Sequence, residues 1–212
     1  MARTRKLAAI VTAALCMVVV PVSTPVAAAA GSAVACTVPF NGDPRLGPVD
    51  LPATGPVARM VRNWQRFGGL SAQAFLDKYW DPSANDGRGS YIFPPDSGYY
   101  RSVKFVMPLP VGSPLDRFGS EFGAFLAPLL TDYERRAIPP QSLNTFDPAY
   151  PCNYHTYRVA RPLPVRLGPI APWFEQMGLG VQYQLDATLL PGAPAPLNVM
   201  WLVANGYLVR TN

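Results

Sequence analysis

YHTYRVA, residues 154–160, is rich in aromatic and β-branched residues and alternates along its length, as a half-buried strand does. LPVRL follows at residues 163–167, and two more strand-like runs cover residues 103–107 and 181–185. Short runs of this kind prevail from residue 102 onward. The sequence therefore predicts an α+β fold whose main element is a largely antiparallel sheet.

Two helices are predicted upstream of these strands. Pro56 can start the first, and Gly68-Gly69 can end it. Its inner face carries Val57, Met60, Val61 and Trp64. Ser71 can cap the second helix, and Asp81-Pro82 stops it. Its inner face carries Ala72, Phe75, Leu76 and Tyr79. We expect residues 31–100 to form a small N-terminal helical subdomain with a connecting loop.

The segment over residues 197–208 has two interpretations. Leu197, Met200, Trp201 and Ala204 fit one face of a helix. The following Asn205-Gly206 suits a helix C-cap and a hairpin turn equally well. The sequence does not decide between them.

The first 30 residues have the layout of a secretory signal peptide. Three basic residues near the N-terminus precede an apolar run over residues 7–20, and small residues follow. That run is shorter than the ~20 residues that a bilayer-spanning helix needs. We expect a secreted protein, extracellular or at the cell surface, with cleavage after Ala29 or Ala30. Ala35 offers an alternative cleavage site.

Charge and cysteine content follow from that export. Removal of the signal takes away three of the 18 basic residues and no acidic residue. The 15 basic residues that remain exceed the 13 acidic residues by two, so the mature chain has a net charge near +2. No lysine-arginine block remains, so nucleic acid is not an expected partner. Cys16 leaves with the signal, and the remaining pair, Cys36 and Cys152, most simply forms one disulfide. An entropic account gives such a bridge about 4 to 5 kcal/mol of stabilisation.

Residues 115–185 place arginines, aromatics, the only histidine and a glutamine between turns rich in Gly and Pro. Such a combination suits a ligand that carries phosphate. The anchors are LDRFGSEFG (115–123), RRAIPP (135–140), NYHTY (153–157), GPIAPWF (168–174) and GLGVQY (178–183). Together they resemble the catalytic domain of the tuberculosis necrotizing toxin family of NAD glycohydrolases. The segment upstream resembles the secreted, surface-associated fungal members.

The resemblance implies hydrolysis of NAD to nicotinamide and ADP-ribose by a catalytic domain over residues 101–212, with NADP left open as a second substrate. Arg117 and Arg136 are candidates to clamp the pyrophosphate, because a guanidinium is always charged and presents paired donors. Gln182 is the candidate that orients the nicotinamide ribose and stabilises the oxocarbenium-like transition state. His155 maps onto a position of the family's site, where substrate contact and structural support both stay open.

Four aromatic residues are candidate pocket walls, namely Phe118, Phe125, Trp173 and Tyr99. Phe125 falls where the toxin has a tyrosine, so only an apolar or stacking role carries over. Tyr99 lies in the loop that leads into the catalytic domain. Core packing is the structural alternative for Trp173, as ion pairing with neighbouring acidic residues is for both arginines. Gly178 and Gly180 flank a position where the backbone can approach a ligand closely.

No metal site and no cofactor are expected, because the chain has no cluster of metal-ligand residues and no acidic loop for the calcium found in fungal members. NAD or NADP is expected to bind as substrate, and a membrane is not an expected partner. The sequence does not decide whether the protein forms a homodimer through its N-terminal helices. It also does not decide whether an immunity protein binds it. A non-catalytic secreted binding module and an ADP-ribosyltransferase are the alternative functions. The transferase is disfavoured because Gly180-Val181-Gln182-Tyr183 offers an amide where such enzymes use a glutamate.

Overall fold

The computed structural model describes residues 34–212, which belong to one compact unit. The predicted signal peptide, its cleavage positions at Ala29 and Ala30, and Cys16 lie outside the described residues. The subdomain boundary near residue 100 stays a prediction. Among residues 34–212, no helix combines the length and the apolar character that crossing a membrane requires.

The main sheet contains seven strands, and every neighbouring pair is antiparallel. The strands are β3 (Phe105–Leu109), β4 (Pro114–Phe118), β5 (Phe125–Pro128), β6 (Tyr154–Val159), β7 (Leu163–Pro169), β8 (Val181–Gln184) and β9 (Leu208–Arg210). Their spatial order is β3-β7-β8-β5-β4-β6-β9. A separate hairpin pairs β1 (Trp80–Asp81) with β2 (Ser90–Tyr91). The predicted α+β class with a mainly antiparallel sheet is confirmed.

The strand predictions are close at three of four places. Strands β6, β7 and β8 begin at the predicted residues and end within two residues of the predicted limits. Strand β3 begins at Phe105 instead of Val103. The reason is a turn, since the amide of Val103 donates to Tyr100 O at 3.1 Å and is therefore not free to pair with a strand.

The two predicted helices form, but the first is shorter than expected. Helix α1 covers Gly55–Met60, and Val61 already has non-helical angles. Helix α2 covers Ala72–Tyr79, and the Ser71 hydroxyl accepts from Ala74 N at 3.1 Å as its N-cap. Phe75, Leu76 and Tyr79 are buried as predicted, and Ala72 is half-buried. A short helix, α3, follows later at Tyr133–Arg136.

The C-terminal segment forms the helix of the two sequence interpretations, with Asn205 at its C-cap, and not a hairpin. Helix α4 covers Val199–Ala204, and Asn198 caps it by accepting from Trp201 N at 2.9 Å. Gly206, with φ +70°, then turns the chain into β9, which pairs with β6. The turn thus connects a helix to a strand of the main sheet.

Three apolar clusters make up the buried interior. One lies between the sheet and α4, and includes Leu163, Val165 and Leu202, each with 0% exposure. A second surrounds the disulfide, and a third is an aromatic group around Phe75. The predicted bond between Cys36 and Cys152 is confirmed, and it ties the start of the described chain to the residues that precede β6.

Candidate active site

One cavity of about 560 Å³ opens where β4, β5 and β8 meet the loops on one side of the sheet. Five of the candidate residues line it, namely Arg117, Phe118, Phe125, Arg136 and Gln182. They come from strands β4, β5 and β8 and from helix α3. The antiparallel order places β8, β5 and β4 side by side, so anchors far apart in sequence converge here.

Arg117 presents a cation to the cavity. Its side chain donates from Nε to Ser120 O at 2.8 Å and from Nη1 to Phe125 O at 2.7 Å. Nη2 makes no hydrogen bond within the described chain, and no carboxylate there forms an ion pair with this residue. Burial lowers the pKa of the guanidinium, with Tyr157 and Glu121 opposing that shift. The group still stays charged, so it is a half-desolvated cation that an anion can stabilise.

Gly123 is what admits this guanidinium. A Cβ built there would lie 1.8 Å from Arg117 Nη2 and 2.4 Å from Cζ, well inside any allowed contact. The backbone at Gly123 does not have a positive φ, so close approach, not backbone conformation, is what requires glycine.

Arg136 differs from Arg117 because it has a buried ion-pair partner. Its Nη2 lies 2.7 Å from Asp116 Oδ1, and the two side chains are 4% and 0% exposed. Nε donates to Thr131 O at 2.9 Å, and the guanidinium also lies over the Phe118 ring. The second Asp116 oxygen accepts from Leu130 N and Tyr154 OH. Most of this arginine's capacity is thus used inside the protein, although the residue also lines the cavity.

Gln182 is fixed by a backbone contact while it faces the cavity. It is 8% exposed, and its Nε2 donates to Ser97 O at 2.9 Å. Strand register places it opposite Gly168 of β7. This arrangement leaves its amide oxygen available to a ligand and fixes the amide plane through the Ser97 contact.

His155 lies one layer behind the cavity. It is 6% exposed and does not line the cavity, but its Nε2 lies 3.2 Å from Oδ1 of Asn153, which does. The amide oxygen only accepts, so the neutral ring donates from Nε2. His155 Nδ1 has no partner within the described residues. The Tyr150 ring packs on one side at 4.3 Å between centroids.

Burial is the main cause that lowers the pKa of His155, and several charges around it act in opposite directions. Glu121 and Asp147 favour the protonated form, whereas Arg117 and Arg210 disfavour it. Glu121 is itself paired with Arg210 and accepts from Tyr157 OH at 2.8 Å. The imidazole is therefore held neutral near neutral pH.

Two of the candidate aromatics wall the cavity, and two do not. Phe118 and Phe125 line it, while Tyr99 and Trp173 are absent from its lining. Tyr99 is buried and donates its hydroxyl to Arg166 O at 2.9 Å. Trp173 belongs to the edge of the aromatic cluster, and its indole donates to Ile92 O at 2.7 Å. The structure places both outside the cavity lining, with Tyr99 buried and Trp173 partly buried, and their role as pocket walls stays a prediction.

Among the further residues that line the cavity, three side chains are of chemical interest and are not among the predicted site residues, namely Phe93, Phe146 and Asn153. Phe93 and Phe146 are exposed aromatics at its rim, with 56% and 76% exposure. Phe93 lies in the same loop as Tyr99, the aromatic that the sequence predicts at the border of the site. Asn153 directly precedes the Tyr154-His155 pair and is part of a quoted anchor. Nothing in the sequence around Phe146 marks it, because only the disulfide-linked loop brings it here.

Gly178 and Gly180 lie outside the cavity and pack closely against other parts of the protein. A Cβ at Gly178 would lie 2.8 Å from the Ala171 carbonyl group, and one at Gly180 would lie 2.6 Å from Arg135 O. Neither glycine lines the cavity. Both glycines are therefore required for close packing against other parts of the protein, and the predicted approach to a ligand stays a prediction.

Carboxylates are not part of the cavity wall among the described residues. The lining contains no Asp or Glu, and Asp116 borders only a small adjoining pocket of about 60 Å³. Within residues 34–212, no group of three or more His, Cys, Asp or Glu side chains is placed to hold a metal ion. The wall offers a guanidinium, amides and aromatic faces for chemistry.

Comparison with known proteins relates this cavity to a family. The family profile described as Tuberculosis necrotizing toxin matches residues 108–211, which include every strand of the main sheet except the first residues of β3. The conidial surface nicotinamide adenine dinucleotide glycohydrolase nadA of Aspergillus fumigatus is 47% identical over 174 residues, which cover 80% of this chain and 69% of that protein.

One solved structure supports the fold. The tuberculosis necrotizing toxin in complex with its immunity factor has a TM-score of 0.51 at 19% identity, covering 66% of this chain and 71% of that chain. Tse6 in complex with Tsi6 has a TM-score of 0.35 at 18% identity, covering 57% and 85%, and is too distant to support a conclusion. On the sequence match that covers most of its length, the chain belongs to the tuberculosis necrotizing toxin family of NAD glycohydrolases.

Proposed function

We propose that this chain is an exported NAD glycohydrolase, which cleaves the N-glycosidic bond between nicotinamide and ribose and releases nicotinamide and ADP-ribose. The observation that carries the proposal is the cavity itself. In a chain 47% identical to a NAD glycohydrolase, an unpaired guanidinium, a fixed glutamine amide and aromatic walls converge on one space of about 560 Å³. The protein acts outside the cell or at its surface, as the predicted signal peptide requires.

Arg117 is the proposed phosphate ligand. Its guanidinium is held by two backbone carbonyls and has no anionic partner within the described chain. A bound pyrophosphate supplies that partner, and charge-assisted hydrogen bonds of this kind are about twice as strong as neutral ones. Arg136 is proposed as a second, weaker contact, since its ion pair with Asp116 already takes up part of its charge.

The chemistry of the leaving group explains how a wall without carboxylates can suffice. Nicotinamide departs as a neutral amine, so no acid is needed to protonate it. The group that needs stabilisation is the ribosyl cation left behind. Glycosidases that use a nucleophile and an acid place two carboxylates at the bond. The described wall of this cavity offers none.

Gln182 is the proposed residue at the reacting ribose. Its Nε2 contact with Ser97 fixes the amide, so the oxygen can accept from a ribose hydroxyl and carry partial negative charge toward the oxocarbenium ion. Water then captures the ribose carbon. Orientation of the bound substrate supplies much of the remaining rate enhancement.

Substrate breadth and assembly are finer parts of the proposal. Phe93 and Phe146 at the rim are positioned to stack on a base or on nicotinamide. Cleavage of NADP is proposed as a second activity, and a comparison of kcat/KM for NAD and NADP tests it. A homodimer is proposed from the family resemblance, and size-exclusion chromatography with light scattering tests it. An immunity partner is also proposed, and co-purification from the producing organism tests it.

The test of function is nicotinamide release from NAD by the purified, oxidised mature protein, with an inert protein present as an acceptor for transferred ADP-ribose. Gln182→Ala is compared with Gln184→Ala, a matched control on the same strand. Gln184 also bonds to Ser97, from Nε2 to Oγ at 3.1 Å, but does not line the cavity. We expect the first variant to lose turnover by orders of magnitude and the second to keep it.

Two results would contradict the proposal. A folded wild-type protein that releases no nicotinamide is not a NAD glycohydrolase. ADP-ribose found on the acceptor protein instead of free in solution would identify a transferase. Equal activity in the two glutamine variants would remove Gln182 from the mechanism while leaving the hydrolase function in place.

A further inference from the structure

Asn153 is a cavity-lining amide whose NH₂ group has no partner. The residue is 6% exposed and lines the cavity. Its Oδ1 is engaged by His155 Nε2 at 3.2 Å, while Nδ2 makes no hydrogen bond within residues 34–212. Nδ2 is not among the buried polar atoms that lack a partner, so this donor is open to the cavity. Its position at the cavity allows a ligand to supply that partner.

The backbone of Asn153 is held from three directions. Its carbonyl accepts from Gly119 N at 2.9 Å, and its own N–H donates to Tyr150 O at 2.9 Å. The preceding Cys152 is bonded to Cys36. The residue has φ +51°, a left-handed conformation that Asn adopts more readily than most residues. These contacts place one side chain at a fixed point of the wall.

His155 decides which end of that side chain faces the cavity. Because Oδ1 accepts from the imidazole, the amide is turned so that Nδ2 points away from the ring. The Tyr150 ring packs against the imidazole and holds it in place. The histidine therefore orients the amide without itself reaching the cavity wall.

The amide lies at the same end of the cavity as the unpaired cation. His155 on β6 is the register partner of Arg117 on β4. Gly119, two residues after Arg117, donates its N–H to the Asn153 carbonyl and lines the cavity as well. An anionic group bound by Arg117 would therefore lie close to the Asn153 side chain.

We propose that Asn153 is a substrate-contacting residue that donates from Nδ2 to a phosphate oxygen of the dinucleotide, and that His155 is a positioning residue that holds this amide. The inference rests on the proposed function for the identity of the ligand. It assigns the histidine an indirect role: it acts through Asn153 and touches neither the ribose nor the nicotinamide.

Asn153→Asp removes the donor, keeps an oxygen for His155 and tolerates the left-handed backbone, but it also adds a negative charge at the cavity. Asn153→Gly, which removes the amide without a charge and also tolerates the left-handed backbone, is therefore measured beside it. Asn85→Asp is the matched control, because Asn85 has φ +56° and is exposed away from the cavity. We expect kcat/KM for NAD and affinity for ADP-ribose to fall at least about tenfold in both Asn153 variants and not in Asn85→Asp, as expected for loss of a hydrogen bond to a charged group. A fall in Asn153→Asp with wild-type values in Asn153→Gly would show charge repulsion alone and would overturn the contact.

The positioning role is tested by combining variants. His155→Ala is expected to lower kcat/KM, and His155→Gln, which can still donate to Oδ1, is expected to restore part of it. The double variant Asn153→Asp, His155→Ala should lose no more than Asn153→Asp alone, because the histidine acts through the amide. Fully additive losses would show that His155 acts independently, and would overturn its positioning role.

ADP-ribose titration separates this inference from the proposed function. A wild-type protein that binds ADP-ribose but releases no nicotinamide refutes hydrolysis, and weaker binding by both Asn153 variants then still supports the phosphate contact. Unchanged kcat/KM and unchanged ADP-ribose affinity in Asn153→Asp overturn the contact even when wild-type turnover is high. A wild type with neither turnover nor ADP-ribose binding overturns both.

Discussion

Arg117 and Arg136 are expected to fail in different ways when they are replaced. The sequence treats them as equivalent phosphate ligands, but within residues 34–212 only Arg136 of the two has a carboxylate partner, at 2.7 Å. Arg117 bonds to two backbone carbonyls. We therefore predict that Arg136→Ala mainly lowers stability, whereas Arg117→Lys mainly lowers activity.

The size of the Arg136→Ala effect follows from burial. Both members of the ion pair are almost fully buried, with 4% and 0% side-chain exposure. Removing one partner of a buried pair costs about 3 to 5 kcal/mol, because the other charge is left uncompensated. For a domain of this size, each kcal/mol lowers Tm by roughly 2 to 4 °C. The expected fall in Tm is therefore about 6 to 20 °C.

The size of the Arg117→Lys effect follows from hydrogen bonds. Lysine keeps the charge and can reach one of the two carbonyls, so the loss in stability is about 0.5 to 1.5 kcal/mol. It also loses the paired donors for phosphate, which are worth about 1.5 to 3 kcal/mol, or roughly 10- to 150-fold in kcat/KM. We expect a small change in Tm and a large change in turnover.

The assay is thermal unfolding by circular dichroism together with nicotinamide release at about 15 °C, where both variants are largely folded. A double variant, Asp116→Asn with Arg136→Ala, removes both charges and should regain part of the stability that Arg136→Ala loses. A Tm for Arg136→Ala within about 2 °C of wild type would refute the buried-pair argument. Wild-type kcat/KM in Arg117→Lys would refute the phosphate contact.

Three further outcomes are expected. Gly123→Ala should lower kcat/KM by about 100-fold, because its Cβ would lie 1.8 Å from Arg117 Nη2 and must displace the guanidinium; an unchanged kcat/KM would contradict this. Phe146→Ala should raise KM several-fold without changing Tm, whereas Phe122→Ala, equally exposed but outside the lining, should change neither. The pKa of His155 is lowered by burial from its model-peptide value of 6.5, so the unfolded chain takes up the proton first as pH falls. The contribution of His155 to the free energy of unfolding is thus full above about pH 6.5 and is lost as the pH falls through the pKa of the folded state. The difference in Tm between about pH 7.5 and pH 5 should therefore be smaller in His155→Gln than in the wild type. An unchanged difference would show that other groups cause the pH dependence.

Secondary structure was largely predictable where local chemistry decides it. Ser71 caps α2 because its hydroxyl meets the free amide of Ala74, an interaction within four residues. Helix α1 shows the limit of such reasoning. Its apolar spacing continues to Trp64, but the chain leaves the helix at Val61. Gln176, 111 residues away, donates to Gln65 O and thereby helps to hold the following turn.

The sequence predicted which segments contribute to the site, but not the role of each residue in it. Arg117 and Gln182 line the cavity, as expected from their sequence motifs. Their roles in substrate binding and catalysis stay predictions. Trp173 and Tyr99 have the aromatic character of pocket walls but are used in packing. Phe146 has no motif at all. Its place at the rim depends on Thr145, which bonds to the segment that carries Cys36.

The sequence by itself determined the residue types available for chemistry, the alternation that makes strands, and the cysteine pair. The residue types and the alternation are local properties of the sequence, and the cysteine pair follows from the number of cysteines. Tertiary structure alone decided which arginine keeps an unpaired charge, because that depends on whether a carboxylate lies within ion-pairing distance in space. It also decided that His155 does not line the cavity, although the register of β4 and β6 places it opposite Arg117 and its amide partner is only two residues away in the sequence. Charge and hydrogen-bond partners are fixed by three-dimensional distance, which a one-dimensional pattern does not contain.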